Sequence, residues 1–441
     1  GGSKSKSRRL GLTANVNYIY DNRYFVDFSY RVDGKSDFGS KKRYAPFWST
    51  GIGWNLHNEK FLKGSFANIL RLKASYGQTG TQQGSDGANT LYKYITDNRY
   101  MYWTGAELQG LGNPYLTWQK TDEFNFGVEF GLWKGRMKGE FNVYTKKTSN
   151  LLSNMDLPHS NGFASYVDNV GEVKNNGWEA SASVYVIRNA ERDINWIIGG
   201  QLTYNKNYVS KLSEAIKAQN EAYLKEDVDV ANLFYEGRPQ NGIYVVRSLG
   251  IDPANGQEIF LDKDGNRTDI WKASDKVYVG QADPRYRGIA NTMFMWKGLT
   301  VNVSASFYWG GKRYNSTIIG RVEVGRTTLM AQNVDARALY DRWQKPGDVA
   351  KYKRLTNSVN GSETRPTSRF VMDENTLTFG SLSLTYRMDQ QNTRFLKKSF
   401  ISSLKWGFTM EDIFYLSSVK QERGLDYPFA RSVAFSLGIR F

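Results

Sequence analysis

Apolar and polar residues alternate with a period of two along most of the chain. The closing stretch RSVAFSLGIRF is representative: Val433, Phe435, Leu437, Ile439 and Phe441 are apolar, while Ser432, Ala434, Ser436, Gly438 and Arg440 are small or polar. Successive side chains of a strand point to opposite faces, so such a row predicts a β-strand with one apolar and one polar face. The pattern recurs at 10–20, 24–32, 48–56, 70–76, 124–132, 141–143, 178–186, 196–204, 299–307 and 404–410. Two rows are less regular: 286–296 is ambiguous in phase, and 377–386 slips phase near Ser381, which predicts a bulge there. The series amounts to about thirteen strands of about ten residues each. Soluble strands centre on about five or six residues and bilayer-crossing ones need about nine to eleven, so the length favours a membrane.

The connections alternate between short and long. DNR at 21–23, WKGR at 133–136, RNAERD at 188–193 and WKG at 296–298 read as tight turns, whereas 79–122, 148–177, 206–285 and 310–376 are long. Outer-membrane barrels have this asymmetry, with short periplasmic turns and long extracellular loops, and a soluble sandwich has no reason for it. Within the long loops, 212–227 and 334–344 have the composition of short helices, the second stopped by Pro346 and Gly347. If Phe441 ends on the periplasmic side, an odd number of strands puts the basic start, GGSKSKSRR, on the extracellular face. An antiparallel barrel does not close with an odd count, so an incomplete barrel is expected. Tyr18, Tyr20, Tyr24, Trp133 and Trp296 flank the short turns, where an aromatic girdle would sit.

Composition agrees and removes several function classes. Aromatic residues make up 15% of the 441-residue chain, with 42 Gly and only 9 Pro, as strands joined by flexible turns require. Mean hydropathy is -0.57, and no apolar run approaches the roughly 20 residues of a spanning helix. There is no cysteine, hence no disulfide, thiolate metal site or cysteine nucleophile. The net charge of +16 is spread along the chain, without the basic block or recognition helix of a nucleic-acid binder. His57 and His159 are the only histidines, far apart and outside any metal-spaced motif. Asp262, Asp264 and Asn266 in LDKDGNRTD have the spacing of a calcium loop but lack its glutamate and flanking helices, so a turn between strands is expected. Glu123 and Glu129 lie on the polar face of one strand beside Arg71 and Lys73, which predicts cross-strand ion pairs and not a glycosidase pair. With no nucleotide-binding glycine motif and no activated pair, the chain is not expected to be an enzyme and needs no cofactor.

A series of stretches, in order, resembles the SusC/RagA family of TonB-dependent outer-membrane transporters. It begins with DNRYFVDFSYRVDGKSDFGSKKRYAPFWSTGIGWNLHNEKFL and LRLKASYGQTG, and continues through GNPYLTWQKTDEFNFGVEFGLW, YTKKTSNLL and NVGEVKNNGWEASAS. IDPANGQEIFLDKDGN, DPRYRGIANTMFMWKGL, FYWGGKRYN, SRFVMDENTLTFGSLSLTY and YPFARSVAFSLGIRF complete it. The resemblance covers essentially the whole chain. It implies an all-β transmembrane antiparallel barrel, of which residues 1–441 are the carboxyl-terminal portion, the N-terminal plug and about nine of 22 strands being absent. By the same resemblance the function is import of an oligosaccharide or peptide across the bacterial outer membrane. Its implied partners are a SusD-like surface lipoprotein and TonB-ExbB-ExbD acting through the absent plug, with a dimer of such pairs as the further assembly. Alternatives are a scaffold role for the same fold in an outer-membrane complex, and a soluble all-β carbohydrate-binding module.

The candidate ligand surface is the aromatic group Tyr92, Tyr94, Tyr100, Tyr102 and Trp103 in the 79–122 loop. Aromatic faces stack on sugar rings and peptide side chains at little entropic cost. The alternative for these residues is packing within the loop or docking to a partner, and both readings stand at this point.

Overall fold

The alternating rows become hydrogen-bonded strands in the computed structural model, which describes residues 8–36, 43–81, 90–157, 162–163, 165–169, 171–225, 233–331, 333–355, 364–391, 393–419 and 431–441. Thirteen strands form one sheet in chain order. They are β1 Arg9–Tyr20, β2 Tyr24–Lys35, β3 Tyr44–Asn55, β4 Ala67–Thr81, β5 Gln119–Leu132, β6 Met137–Ser149 and β7 Gly171–Asn189. The series continues with β8 Ile194–Leu212, β9 Tyr286–Trp296, β10 Leu299–Tyr314, β11 Val371–Asp389, β12 Ser403–Ser417 and β13 Ser432–Arg440. Each matches one row read from the sequence. The basic start at 1–7, His159 and residues 427–430 of the last family-like stretch lie outside the described residues.

Turn chemistry fixes the register. Asp21 and Asn22 take φ of 49° and 53°, the left-handed values of a tight hairpin turn that Asp and Asn tolerate, so Tyr20 pairs directly with Tyr24. Lys297 and Gly298 do the same between β9 and β10, and a Cβ on Gly298 would lie 2.3 Å from the Arg387 carbonyl oxygen. The expected bulge is present: the register of β11 shifts between Phe379 and Ser381 against both β10 and β12. The extra residue, Gly380, returns Leu382, Leu384 and Tyr386 to the face occupied by Leu377 and Phe379. Without it every later apolar side chain of β11 would be turned to the wrong face.

In each unit one face of the strands is apolar and open. Leu10, Leu12, Val16 and Tyr18 of β1 and Val433, Phe435, Leu437 and Ile439 of β13 are all exposed, as are Val26, Ile52, Phe126, Phe141 and Leu416. In water so extended an apolar surface would aggregate, and in a bilayer it is the solvated state. No helix among the described residues is long and apolar enough to cross a membrane. The opposite face carries paired charges: Arg71 meets Glu129 at 3.2 Å, Lys73 meets Glu140 at 3.0 Å and Lys146 meets Glu123 at 3.2 Å. The two glutamates expected to form cross-strand pairs therefore do so, Glu123 with its neighbour on β6.

Several strands outrun their apolar rows. β7 and β8 are each 19 residues long, and their long-loop ends carry Lys174, Asn175 and Asn176 on β7 and Asn205, Lys206 and Asn207 on β8. The Asn175 side-chain oxygen accepts from Asn205 at 3.1 Å and Asn207 at 2.9 Å. A polar ladder sustains pairing beyond the bilayer, where alternation of hydropathy gives no sign of a strand. Alternation of loop lengths holds at most positions but softens at two: the connection at 56–66 is longer than that at 36–43, and 390–402 is close in length to 418–431.

The chain divides into two compact units. One comprises Gly1–Ala182, Tyr204–Asn220 and Phe234–Gln240, the other Ser183–Thr203, Glu221–Leu233 and Asn241–Phe441. In the first, Val173, Val209, Leu212 and Ile216 form a buried cluster that seats the start of helix Glu214–Lys225, the helix expected within 212–227. In the second, Ile318, Val322, Tyr352 and Phe370 pack together, and Gly242–Ile251, Glu258–Leu261, Arg267–Thr268 and Lys276–Gln281 form a four-stranded loop sheet. The helix expected over 334–344 is reduced to Arg337–Tyr340. Lys351 and Tyr352 donate to the Asp341 carbonyl, and Arg342 bridges Tyr352, so tertiary pairing ends the helix early.

At the short-turn end, the connection 56–66 is held by Glu59. Its carboxylate accepts from the Tyr24 hydroxyl at 2.9 Å and the Trp54 indole at 3.0 Å, and faces Arg23 at 3.4 Å. The hydrogen bonds from Trp54 and Tyr24 hold the Glu59 carboxyl below its ordinary range. A folded-state value below the unfolded one contributes stability at neutral pH that disappears as pH falls through the folded value. Glu59→Gln is therefore expected to flatten the loss of unfolding resistance between neutral pH and about pH 3, measured by denaturant titration in detergent. On the apolar face, Leu437→Arg should destabilise by roughly 2–4 kcal/mol, whereas Ser436→Arg on the polar face, opposite Gly407, should be nearly neutral in the same assay.

Candidate functional site

The long loops are built, not merely long. In the first unit, Leu91–Tyr100 and Trp103–Gly110 form a hairpin whose two-residue tip is Met101 and Tyr102, with Met101 at φ 53°. Tyr92 and Tyr94 oppose Leu108 and Ala106 and share one face; Trp103, pairing with Tyr100, falls on the alternate face. Exposure is 67% for Tyr92, 74% for Tyr94, 95% for Tyr102 and 78% for Trp103. The structure thus brings Tyr92 and Tyr94 together, puts Tyr102 at the tip and separates Trp103 from that pair. The Tyr100 backbone ends its strand; its side chain is outside the described ones.

The base of this hairpin is held by the segment GNPYLTWQK. Leu116 and Trp118 are buried, and Trp118 packs edge-on against Phe47 with ring centroids 5.8 Å apart. The Asn113 amide donates to the Val167 carbonyl at 3.2 Å and the Asp168 carboxylate at 3.1 Å. Asn169 accepts from the Thr117 amide at 3.0 Å and hydroxyl at 3.1 Å. These bonds tie the hairpin base to the small sheet of Leu152–Asp156 and Ser165–Asn169.

In the second unit, three charges far apart in sequence meet inside the loop assembly. Arg369 reaches Glu323 at 2.5 Å and Glu258 at 2.9 Å, with Glu323 side-chain exposure at 0%. The Thr364 hydroxyl donates to Glu323 at 2.7 Å. Burial alone would push the Arg369 guanidinium down, but the two carboxylates outweigh it and hold its pKa above the usual arginine range. The turn expected in LDKDGNRTD is found, with Gly265 at φ 89° and the Asp262 carboxylate accepting from the Asn266 amide at 2.7 Å and that of Asp264 at 2.9 Å. Those bonds, Asn266 first, lower the Asp262 carboxyl. Neither Arg369 nor its partners is signalled by spacing, since 111 residues separate Glu258 from Arg369.

Residues 2–344 match the family model described as TonB dependent receptor-like, β-barrel. The chain belongs to this family. Its strands are those of an outer-membrane β-barrel family, which is one of receptors and not of enzymes. Among curated relatives, TonB-dependent receptor P39 of Formosa agariphila is 25% identical over 456 residues, covering 92% of this chain and 42% of that protein. TonB-dependent receptor SusC of Bacteroides thetaiotaomicron is 27% identical over 346 residues, covering 75% of this chain and 34% of that protein. The structure of the RagAB peptide transporter matches with a TM-score of 0.80 at 24% identity, over 94% of this chain and 44% of that one, and speaks for the fold. The receptor-like chain thus spans about two fifths of the length of the relatives it matches.

For this receptor barrel, the aromatic rims now have a physical role. Trp133 stacks on Phe66 at 6.1 Å and Tyr24 on Trp54 at 6.1 Å beside the short turns, where ring faces sit at the headgroup level. Breaking the buried triad should loosen the loop assembly and spare the wall. Arg369→Met leaves Glu323 uncompensated and is expected to cost about 3–5 kcal/mol locally. Limited proteolysis should then cut within residues 242–281 or 316–370 in the variant, while the strands stay resistant.

Proposed function

We propose that the chain forms wall and surface loops of a SusC/RagA-type TonB-dependent importer, which carries an oligosaccharide or a peptide across the outer membrane. The observation that carries this reading is that, within each unit, the folded loop structure lies on the long connections between strands, with an exposed aromatic hairpin in the first unit. In this reading the short turns face the periplasm and the built loops face outward, where a SusD-like lipoprotein delivers substrate. The TonB-ExbB-ExbD system supplies energy through a plug. Among the described residues, strands β1 and β13 each pair on one side alone, and a backbone edge facing hydrocarbon is costly, so the reading includes further strands along both edges.

One similar structure, that of the RagAB peptide transporter, stands with the peptide reading, and the oligosaccharide reading rests on the family resemblance of the sequence. Deleting the gene should abolish growth on one defined glycan or peptide source, with growth on glucose unchanged. Undiminished growth on every source tried would leave import without support. Tyr102→Ala and Trp103→Ala, at the tip and outer face of the hairpin, should each weaken binding of that source by about tenfold, as loss of an aromatic anchor does. Equilibrium binding to the purified receptor measures this directly.

A further inference from the structure

We infer that the apolar face of the first unit carries a site for an anionic phospholipid, with an acyl chain in a notch over Ala74 and the phosphate on lysines of the adjoining short turns. The notch arises from one small residue in a row of large ones. Along one rung of the sheet, Val26, Ile52, Ala74 and Phe126 are cross-strand neighbours on β2 to β5. On the next rung toward the short turns stand Tyr24, Trp54 and Leu72. Ala74 cannot fill its place, and a cavity of about 390 Å³ remains, walled by Tyr24, Ile52, Trp54, Leu72 and Phe126. Its walls are rigid on the side of the turns, because the Tyr24 and Trp54 rings stack and both are hydrogen-bonded to Glu59.

Charge at the mouth selects the occupant. The strands that wall the notch end in the connections 21–23, 56–66 and 133–136, which carry Arg23, Lys60, Lys63, Lys134 and Arg136 against only Asp21 and Glu59. Both acids are already engaged by Arg23. Lys60, Lys63 and Lys134 are exposed and make no ion pair among the described residues. An apolar slot on strands whose connections carry unneutralised ammonium groups, at the height of the aromatic rim, matches a lipid with apolar tail and negative headgroup. A neutral lipid fills the slot but leaves the lysines unmatched. The inference rests on the proposed reading that the short turns face the periplasmic leaflet, where glycerophospholipids lie.

The test uses the full-length receptor purified in detergent, stripped of lipid and given equal amounts of phosphatidylglycerol and phosphatidylcholine of the same chain length. Native mass spectrometry then counts what is retained. Each lysine near a headgroup contributes about fivefold, so phosphatidylglycerol should be favoured about 25-fold through Lys60 and Lys63. The double substitution Lys60→Glu with Lys63→Glu should bring that preference to parity or below. Ala74→Trp, which fills the notch, should reduce retention of both lipids. Unheated gel mobility confirms that each variant is folded. Equal retention of the two lipids by the unaltered receptor overturns the inference, as does a preference untouched by both variants. Growth on the transported nutrient is scored separately, so a failed lipid site with intact uptake is distinguishable from a failed importer reading.

Discussion

A backbone amide in hydrocarbon has no water to bond, and this constraint organises everything else in the chain. It requires strands paired through the bilayer, and it is met by the ladders from β1 to β6 and from β9 to β13, which continue across register shifts such as the one at Gly380. Pairing in turn fixes the two-residue repeat of the pleat, so one face must satisfy lipid and the other water. The bulge at Gly380 shows how strictly this operates: an extra residue is accommodated without surrendering the apolar face.

The same constraint explains what was legible in the sequence. Leu10 to Tyr20 or Val433 to Phe441 announce strands because lipid contact demands an apolar residue at every second position. The slip at Ser381 was visible for the same reason. Where strands leave the bilayer the demand lapses. The polar ends of β7 and β8 are strand by virtue of asparagine bonds such as Asn175 with Asn205, which no hydropathy pattern records. Tight turns were legible from Asp21, Asn22 and Gly298, residues that accept left-handed backbone.

The loops were less legible, since their structure depends on contacts distant in sequence. Arg369, Glu258 and Glu323 are unremarkable in their local surroundings and acquire meaning only when the loop sheet and the short helices meet. The 334–344 helix was overestimated because tertiary pairing of Tyr352 with Asp341 and Arg342 outweighed local helix propensity. The aromatic cluster at 92–103 was visible as composition, but its division between two hairpin faces and a tip was not. In the second unit buried ion pairs hold the loops, and in the first the buried Trp118 and the Asn113 and Asn169 bonds hold the base of the aromatic hairpin.

Because the chain contains no cysteine, single cysteines can be placed one at a time without background. The most direct test of the account is thiol labelling of neighbouring positions on β13 in intact outer membranes with a small, water-soluble, membrane-impermeant reagent. Ser436→Cys should react, while Phe435→Cys and Leu437→Cys should be protected until detergent dissolves the bilayer. Equal reactivity of all three in intact membranes would contradict a wall with one face in lipid and one in water.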